Sequence, residues 1–428
     1  RFMLNREEND IIVHTGPGTP MGEVMRRYWL PALLSWELDE PDGTPVRVKL
    51  VGEELIAFKD TDGKVGLLDN YCPHRRASLF FGRNEECGLR CVYHGWKFDI
   101  EGNCVDMPSE PAESNFKDKV KIKSYPCLDM GGVIWTYMGP PEKQPPPPKF
   151  EWTQVPETHR GITKVKQEGN WSQALEGGID SIHASYLHNN DIQNAARYEQ
   201  RAAVAHIEVE ATDYGYTYGS VRPLPDVEGN FVRAYHYVMP FTQLRPSQNT
   251  VGRSDSPPMV AGHMWVPMDD DNCMVYNWTY TLDKEPLTDD LRSKHGPEVY
   301  KYIDVDNGFR CIWNRDNDYG IDREVQRNKT YTGIESAANL QDRAIQESMG
   351  IQFDRSHEHL ATTDRAIISA RRMLLEAAKI VEDGGSPPGV AGTYYGIRAI
   401  ERVLPIDARW QDALREALFE GEGYAPAV

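Results

Sequence analysis

The sequence predicts an α+β protein, with a small all-β unit first and a larger unit of antiparallel sheet and helices after it. Three observations predict this. Short β-type runs with Gly and Asn turns follow one another closely through residues 45–143. A stiff proline run, Gln144-Pro145-Pro146-Pro147-Pro148-Lys149, then breaks the pattern. Beyond it, longer strand-like stretches give way to stretches with helical spacing. At 428 residues the chain has room for two or three domains. The expected division is a helical segment over 1–44, the β unit over 45–143, and the larger unit over 144–428.

In chain order, polar Asn5–Asp10 precedes Ile11-Ile12-Val13, and Met21–Trp29 has a helical pattern. The glycines between them (Gly16, Gly18, Gly22) imitate a dinucleotide-binding turn. The third comes one residue late and Pro17 and Pro20 stiffen the loop, so no nucleotide site is expected there. Val46–Val51 alternates, Leu55–Phe58 does so loosely, and Gly66–Asp69 and Trp96–Asp99 follow. Val133–Met138 is the last strand before the prolines. In the larger unit, His206–Glu210, Tyr214–Tyr218, His263–Pro267 and Met274–Tyr280 read as strands. Helices are expected near 336–349 and 363–381, the second from Ala366, Ile367, Ala370, Met373, Leu374, Ala377 and Ala378.

Composition excludes several classes. A net charge of -18 argues against a nucleic-acid partner. It does not forbid an anionic substrate, because local cations can line a pocket. No apolar run reaches the roughly 18 residues of a membrane helix. Seven cysteines, odd and sparse, do not make a disulfide framework. The first residues lack an apolar signal core, so the expected setting is a reducing cytoplasm.

Two motifs carry chemistry. Cys72-Pro73-His74 and Cys91-Val92-Tyr93-His94 form C-x-H-x16-C-x2-H. Two thiolates and two imidazoles can bind zinc, or a [2Fe–2S] cluster with both imidazoles on one iron. The flanks, Arg75-Arg76-Ala77 and Gly95-Trp96-Lys97-Phe98, favour the cluster. Downstream, Asp180, His183 and His188 form D-x-x-H-x4-H. Two histidines and a carboxylate can hold non-haem Fe(II) and leave positions open for O₂. On an ideal helix His183 and His188 would lie about 140° apart. The segment must therefore bend, and the expected place is Ser185-Tyr186, with Gly177-Gly178 marking an irregular helix start. Asp180 can share a face with His183 and orient it.

With these motifs in one chain, the sequence resembles the Rieske non-haem iron oxygenases, oxygenase (alpha) subunit. Met21-Gly22, Arg26-Arg27-Tyr28-Trp29, Asn170–His188 and Gln341–Gly350 resemble the phthalate-dioxygenase branch. The resemblance implies a helix-grip catalytic domain, with Cys72, His74, Cys91 and His94 on the cluster. It also implies His183, His188 and Asp342 on one mononuclear Fe(II), with Asp316, Asp318 and Asp322 as competing carboxylates. Asp180 is then the residue that bridges His94 or His74 of a neighbouring subunit to the iron, which implies a trimer or stacked trimers. Electrons are expected from a separate NAD(P)H-dependent reductase, possibly through a ferredoxin. The implied reaction uses O₂ to hydroxylate or O-demethylate an aromatic acid, with cis-dihydroxylation as the rival outcome. A Rieske electron carrier without oxygenase chemistry, and a zinc-stabilised module, remain alternatives.

A substrate carboxylate calls for a cationic fork, and Arg222 and Arg245 lie where the pocket should form. Tyr214, Tyr216, Tyr218, Tyr235, Tyr237 and Phe241 fit either a flat apolar pocket or a β core.

Overall fold

A computed structural model describes residues 3–194, 198–202, 204–246, 259–288, 297–337, 339–390, 392 and 394–419. Helix α1 (Arg6–Val13) starts at Asn5. The Asn5 side chain accepts from the Glu8 N–H, and the Glu8 carboxylate accepts from the Asn5 N–H. Ile11-Ile12-Val13 is thus the end of a helix. Thr19 caps α2 (Pro20–Met25), whose first residue is proline. The glycine loop between them is preceded by a helix rather than a strand. It is also closed on itself, since a Cβ on Gly22 would lie 2.2 Å from the Gly16 carbonyl oxygen.

Helix α2 stops short of the expected Met21–Trp29. Trp29 instead opens strand β1 (Trp29–Leu34), in which every residue is buried. A wholly apolar run has no period to separate helix from strand, and Pro31 disfavours a helix interior. The 1–44 segment therefore contains a strand as well as helices.

Next come β2 (Val46–Leu50), β3 (Glu53–Lys59), β4 (Val65–Asp69), β5 (Arg83–Glu85), β6 (Gly88–Arg90), β7 (Lys97–Phe98) and β8 (Cys104–Asp106). After them run β9 (Ser124–Tyr125), β10 (Cys127–Met130) and β11 (Val133–Tyr137). Two four-stranded sheets form, ordered β2-β3-β4-β9 and β5-β6-β7-β8, while β1, β11 and β10 make a third. A small core of Ile56, Phe58, Leu68, Leu89 and Phe98 also encloses Cys72 and Cys91. The opposite residues of the first sheet, such as Val48, Leu55 and Leu67, join the main core.

The rest of the chain is built on one large sheet. Its strands are β12 (Arg160–Gln167), β13 (His206–Ala211), β14 (Gly215–Pro223), β15 (Asn230–Val238), β16 (Thr242–Pro246), β17 (Val260–Pro267), β18 (Cys273–Tyr280), β19 (Ile303–Asp304), β20 (Arg310–Cys311) and β21 (Ile400–Leu404). They are ordered β13-β14-β15-β16-β17-β18-β12-β20-β19, with β21 also on β15. The long central pairings are antiparallel and regular, as in Tyr216 opposite Tyr237 and Tyr218 opposite Tyr235. Three helices matter for the site: α3 (Trp171–Ile179), α4 (Leu340–Ser348) and α5 (Arg365–Glu382). The last two lie where helical spacing places them. Helix α5 buries Ala366, Ile367, Ala370, Leu374, Ala377 and Ala378 along one stripe. Among the described residues no helix is long and apolar enough to cross a membrane.

Helix α3 is held on several sides. Asn170 caps it through the Ser172 N–H and donates to the carbonyls of Val13 and Asp270. Trp171 Nε1 donates to the Ile12 carbonyl. Glu176 accepts from Arg355 Nε at 3.0 Å and from Arg371 Nε at 2.8 Å. Gly177 and Gly178 do not mark an irregular start, because the helix runs through them to Ile179. They allow close approach: a Cβ on Gly177 would lie 2.0 Å from Gln346 of α4, and one on Gly178 2.0 Å from Trp265 of β17.

Candidate metal centres and active site

The two Cys-His loops are copies of one turn. In the first, the Cys72 N–H donates to the Ala77 carbonyl and the Arg76 N–H to the Cys72 carbonyl. In the second, Cys91 donates to Trp96 and Gly95 to Cys91 in the same pattern. Each loop turns through a left-handed residue, Arg76 at φ 64° and Gly95 at φ 80°. The cysteines are buried, whereas His74 is exposed and His94 half-buried. The imidazoles meet with ring centres 4.4 Å apart, and Trp96 stacks on His74 at 4.4 Å.

This geometry suits a cluster better than a single zinc ion. The quartet divides into a buried pair of thiols, Cys72 and Cys91, and a pair of imidazoles that reach the surface, His74 and His94. A [2Fe–2S] cluster needs a thiolate pair and an imidazole pair on separate irons. Burial first, with Cys91 alongside, pushes the Cys72 thiol up to about 11. Two adjacent buried sulfurs of this kind suit bound cations, which ionise thiols outright.

The second centre comes together at the end of α3. The helix ends at Asp180, whose backbone turns extended (φ -62°, ψ 119°). A single 3-10 turn, His183–Ser185, follows. The break therefore lies at Asp180, earlier than the expected Ser185-Tyr186, and the two histidines never share one helix. His183 Nε2 and His188 Nε2 are 3.2 Å apart. Asp342 Oδ1, from the first turn of α4, lies 3.3 Å from the former and 3.1 Å from the latter. These three form a tight donor set. Asp342 Oδ1 is sealed from solvent without a hydrogen-bond donor of good geometry. Burial opposes its ionisation, but His188 and His183 outweigh that and hold the carboxyl well below the usual range. Two neutral nitrogens and a carboxylate oxygen facing one point suit a divalent iron with open positions.

The competitors for the carboxylate role lie elsewhere. Asp316 pairs with Arg310 at 2.8 Å and Asp322 caps a helix through the Glu324 and Val325 N–H groups. Asp318 lies in the left-handed region beside Asp316. Asp180 accepts from the Ile182 N–H at 2.7 Å, and its other oxygen is 3.8 Å from His183 Nδ1. That is an ion-pair distance rather than a hydrogen bond.

A cavity of about 660 Å³ opens onto these three residues and runs across the sheet. Arg245 lines it, with Nε donating to His263 Nε2 at 2.9 Å. Arg222 does not. Its guanidinium is fully buried behind the site, donating to the Ser181 carbonyl at 2.7 Å and to Ser220 Oγ at 2.8 Å. The expectation that it meets substrate is corrected accordingly: it braces the loop carrying Asp180 and His183. Of the six aromatic residues, Tyr235 alone lines the cavity. Tyr216 and Tyr218 are core, the latter stacked on Tyr235 at 4.6 Å.

Two contributors carry no mark in the sequence. Gln341 Oε1 lies 2.9 Å from His188 Nδ1, while its amide nitrogen donates to the Ile334 carbonyl and Asn190 Oδ1. This fixes the ring so that Nε2 faces Asp342. The Glu176 ion pairs hold α3 from the far side. Neither has a spacing signal, because both depend on which distant segments meet.

Residues 28–126 match the family described as Rieske [2Fe-2S] domain, and residues 136–420 match the one described as LigXa C-terminal domain like. The chain belongs to the Rieske non-haem iron oxygenases, enzymes whose oxygenase subunits carry a [2Fe–2S] cluster and a mononuclear iron. It is 38% identical to the phthalate 4,5-dioxygenase oxygenase subunit of Pseudomonas putida, over 96% of this chain and 94% of that one. It is 32% identical to the 5,5'-dehydrodivanillate O-demethylase oxygenase subunit of a Sphingobium species, over 97% and 89%. Dicamba monooxygenase bound to dicamba shares the fold, with a TM-score of 0.60 at 18% identity over 84% of this chain and 98% of that one.

Proposed function

We propose that this chain is the terminal oxygenase that hydroxylates or O-demethylates an aromatic acid. The observation that carries the reading is the large cavity opening directly onto His183, His188 and Asp342, with cationic side chains in its wall. Cys72, His74, Cys91 and His94 hold the cluster. Iron held by His183, His188 and Asp342 would supply O₂ activation, and a cluster held by the two Cys-His loops would supply the electrons. The protein's own contribution is placement. Gln341 and Arg222 fix the ligand loop, and the cavity walls decide which substrate carbon faces the metal. Ring dihydroxylation is the second reading, favoured by the likeness to the Pseudomonas putida subunit.

Asp180 acts as the bridge between centres, with His94 or His74 of a neighbouring copy as its counterpart. The exposed position of His74 and the part-exposed Asp180 carboxylate support this. It implies a trimer or a stacked pair of trimers in the cytoplasm, served by an NAD(P)H-dependent reductase, directly or through a ferredoxin. Product analysis with phthalate, benzoates and methoxybenzoates, using a compatible reductase and ¹⁸O₂, tests the proposal. Hydroxylation is expected to give a phenol carrying one labelled oxygen, and O-demethylation an unlabelled phenolic acid with the labelled oxygen leaving in formaldehyde. A cis-diol with both atoms labelled would favour the second reading, and no turnover of any acid would overturn the substrate class.

A further inference from the structure

Among the cationic groups of the cavity wall, Arg343 stands out by what it lacks. It follows Asp342 on α4, is 2% exposed, and lines the cavity with Thr163, Ile303 and Lys301. Its Nε is buried without a hydrogen-bond partner, and Nη2 reaches only Cys311 Sγ at 3.7 Å. Among the described residues no carboxylate pairs with it. Arg233, another arginine of the cavity wall, is by contrast tied to Glu401 at 3.0 Å. Burying a guanidinium with a thiol as its chief neighbour is unfavourable unless something supplies the missing acceptor. Sulfur is a weak acceptor and cannot do so.

The site around it is otherwise complete. Arg245 and His263 lie on β16 and β17, while Cys311 lies on β20, four strand positions from β16 in the sheet order. At about 4.8 Å per strand this separates the two arginine neighbourhoods by roughly 19 Å of sheet. The cavity therefore has an arginine towards each end, Arg245 tied to His263 and Arg343 on the iron-binding helix without an acidic partner.

We propose that Arg343 is the receptor for the substrate's carboxylate, held by charge-assisted hydrogen bonds at the α4 end of the cavity. The proposal rests on the aromatic-acid reading above and adds which residue selects the acid. A guanidinium suits this because its planar fork matches a carboxylate. An acid docked there has its ring beside Asp342 and the two histidines, without the acid group competing for the metal.

The test uses the metal-loaded enzyme and two near-isosteric probes, 3-methoxybenzoate and its neutral amide. Binding is measured by calorimetry for the wild type, Arg343→Gln and Arg343→Lys, with iron content as the control for folding. Arg343→Gln should weaken the acid by about 10- to 100-fold. The amide should change by less than about 3-fold, because it carries no negative charge for the guanidinium to pair with. Arg343→Lys should fall between, since it keeps the charge and loses the fork. Equal loss of both probes, or loss of iron in both variants, would overturn the proposal and make Arg343 structural. An acid that binds Arg343→Gln as tightly as wild type would overturn it while leaving the substrate class standing. Failure of the wild type to bind the acid, with both metal centres intact, would overturn both.

Discussion

The two metal centres are built in opposite ways. The cluster site is local: its four proposed ligands fall between Cys72 and His94, on two copies of the same hydrogen-bonded turn, and its small core contains the cysteines. The mononuclear site is assembled from afar. Two proposed ligands follow α3, the third comes from α4, and the supports reach further still, to Arg355 and Arg371. A local site keeps its geometry as long as two loops keep their turns. A distributed one depends on helices that pack correctly, so distant substitutions can disturb it.

Three substitutions separate the two designs. The largest effect is expected from Asp342→Ala. It should remove the mononuclear iron, lowering the content from about three irons per chain to about two, and abolish oxygenation while leaving the cluster's visible spectrum unchanged. If Asp316→Ala does this instead, Asp342 is not the ligand. Next is Asp180→Asn, which should keep both metals and abolish electron transfer between the centres, read as failure of the reduced cluster to reoxidise in a single turnover. Loss of iron in that variant would make Asp180 a ligand rather than a bridge.

The third substitution tests distant support. Glu176→Gln leaves Arg355 and Arg371 without their shared carboxylate and should lower stability by about 3 kcal/mol in denaturant unfolding. Mononuclear iron should be lost more readily, while the cluster absorbance persists. If both centres are lost together, the contrast between them fails. The pH dependence has a definite sign. Burial opposes ionisation of Glu176, but Arg355 and Arg371 outweigh it and depress the carboxyl. The stability this contributes is fully present above the unfolded value near 4.3 and is lost as pH falls through the lower folded value. Glu176→Gln should flatten that acid limb, measured as melting temperature between pH 6 and pH 3.

The sequence was most informative where chemistry is dense and local. C-x-H-x16-C-x2-H carries its ligands and their loops together. The strands of the large sheet were legible because Met274–Tyr280 and its neighbours are rich in aromatic and β-branched residues. It was least informative at β1, where a wholly apolar run has no period, and at Asp180, where the helix ends without a glycine or proline to announce it.

By itself, the sequence carried the α+β class, and offered the two Cys-His pairs and the histidine pair as candidate ligands with the kind of chemistry they can hold, because each rests on residue type and short spacing. The family resemblance already favoured Asp342, and tertiary structure set it, and not Asp316, against the histidines and placed Gln341 beside one of them. It also moved Arg222 behind the site and left Arg343 facing the cavity without an acid. Those outcomes depend on which side chains distant elements bring together, and no spacing along the chain encodes a meeting of that kind.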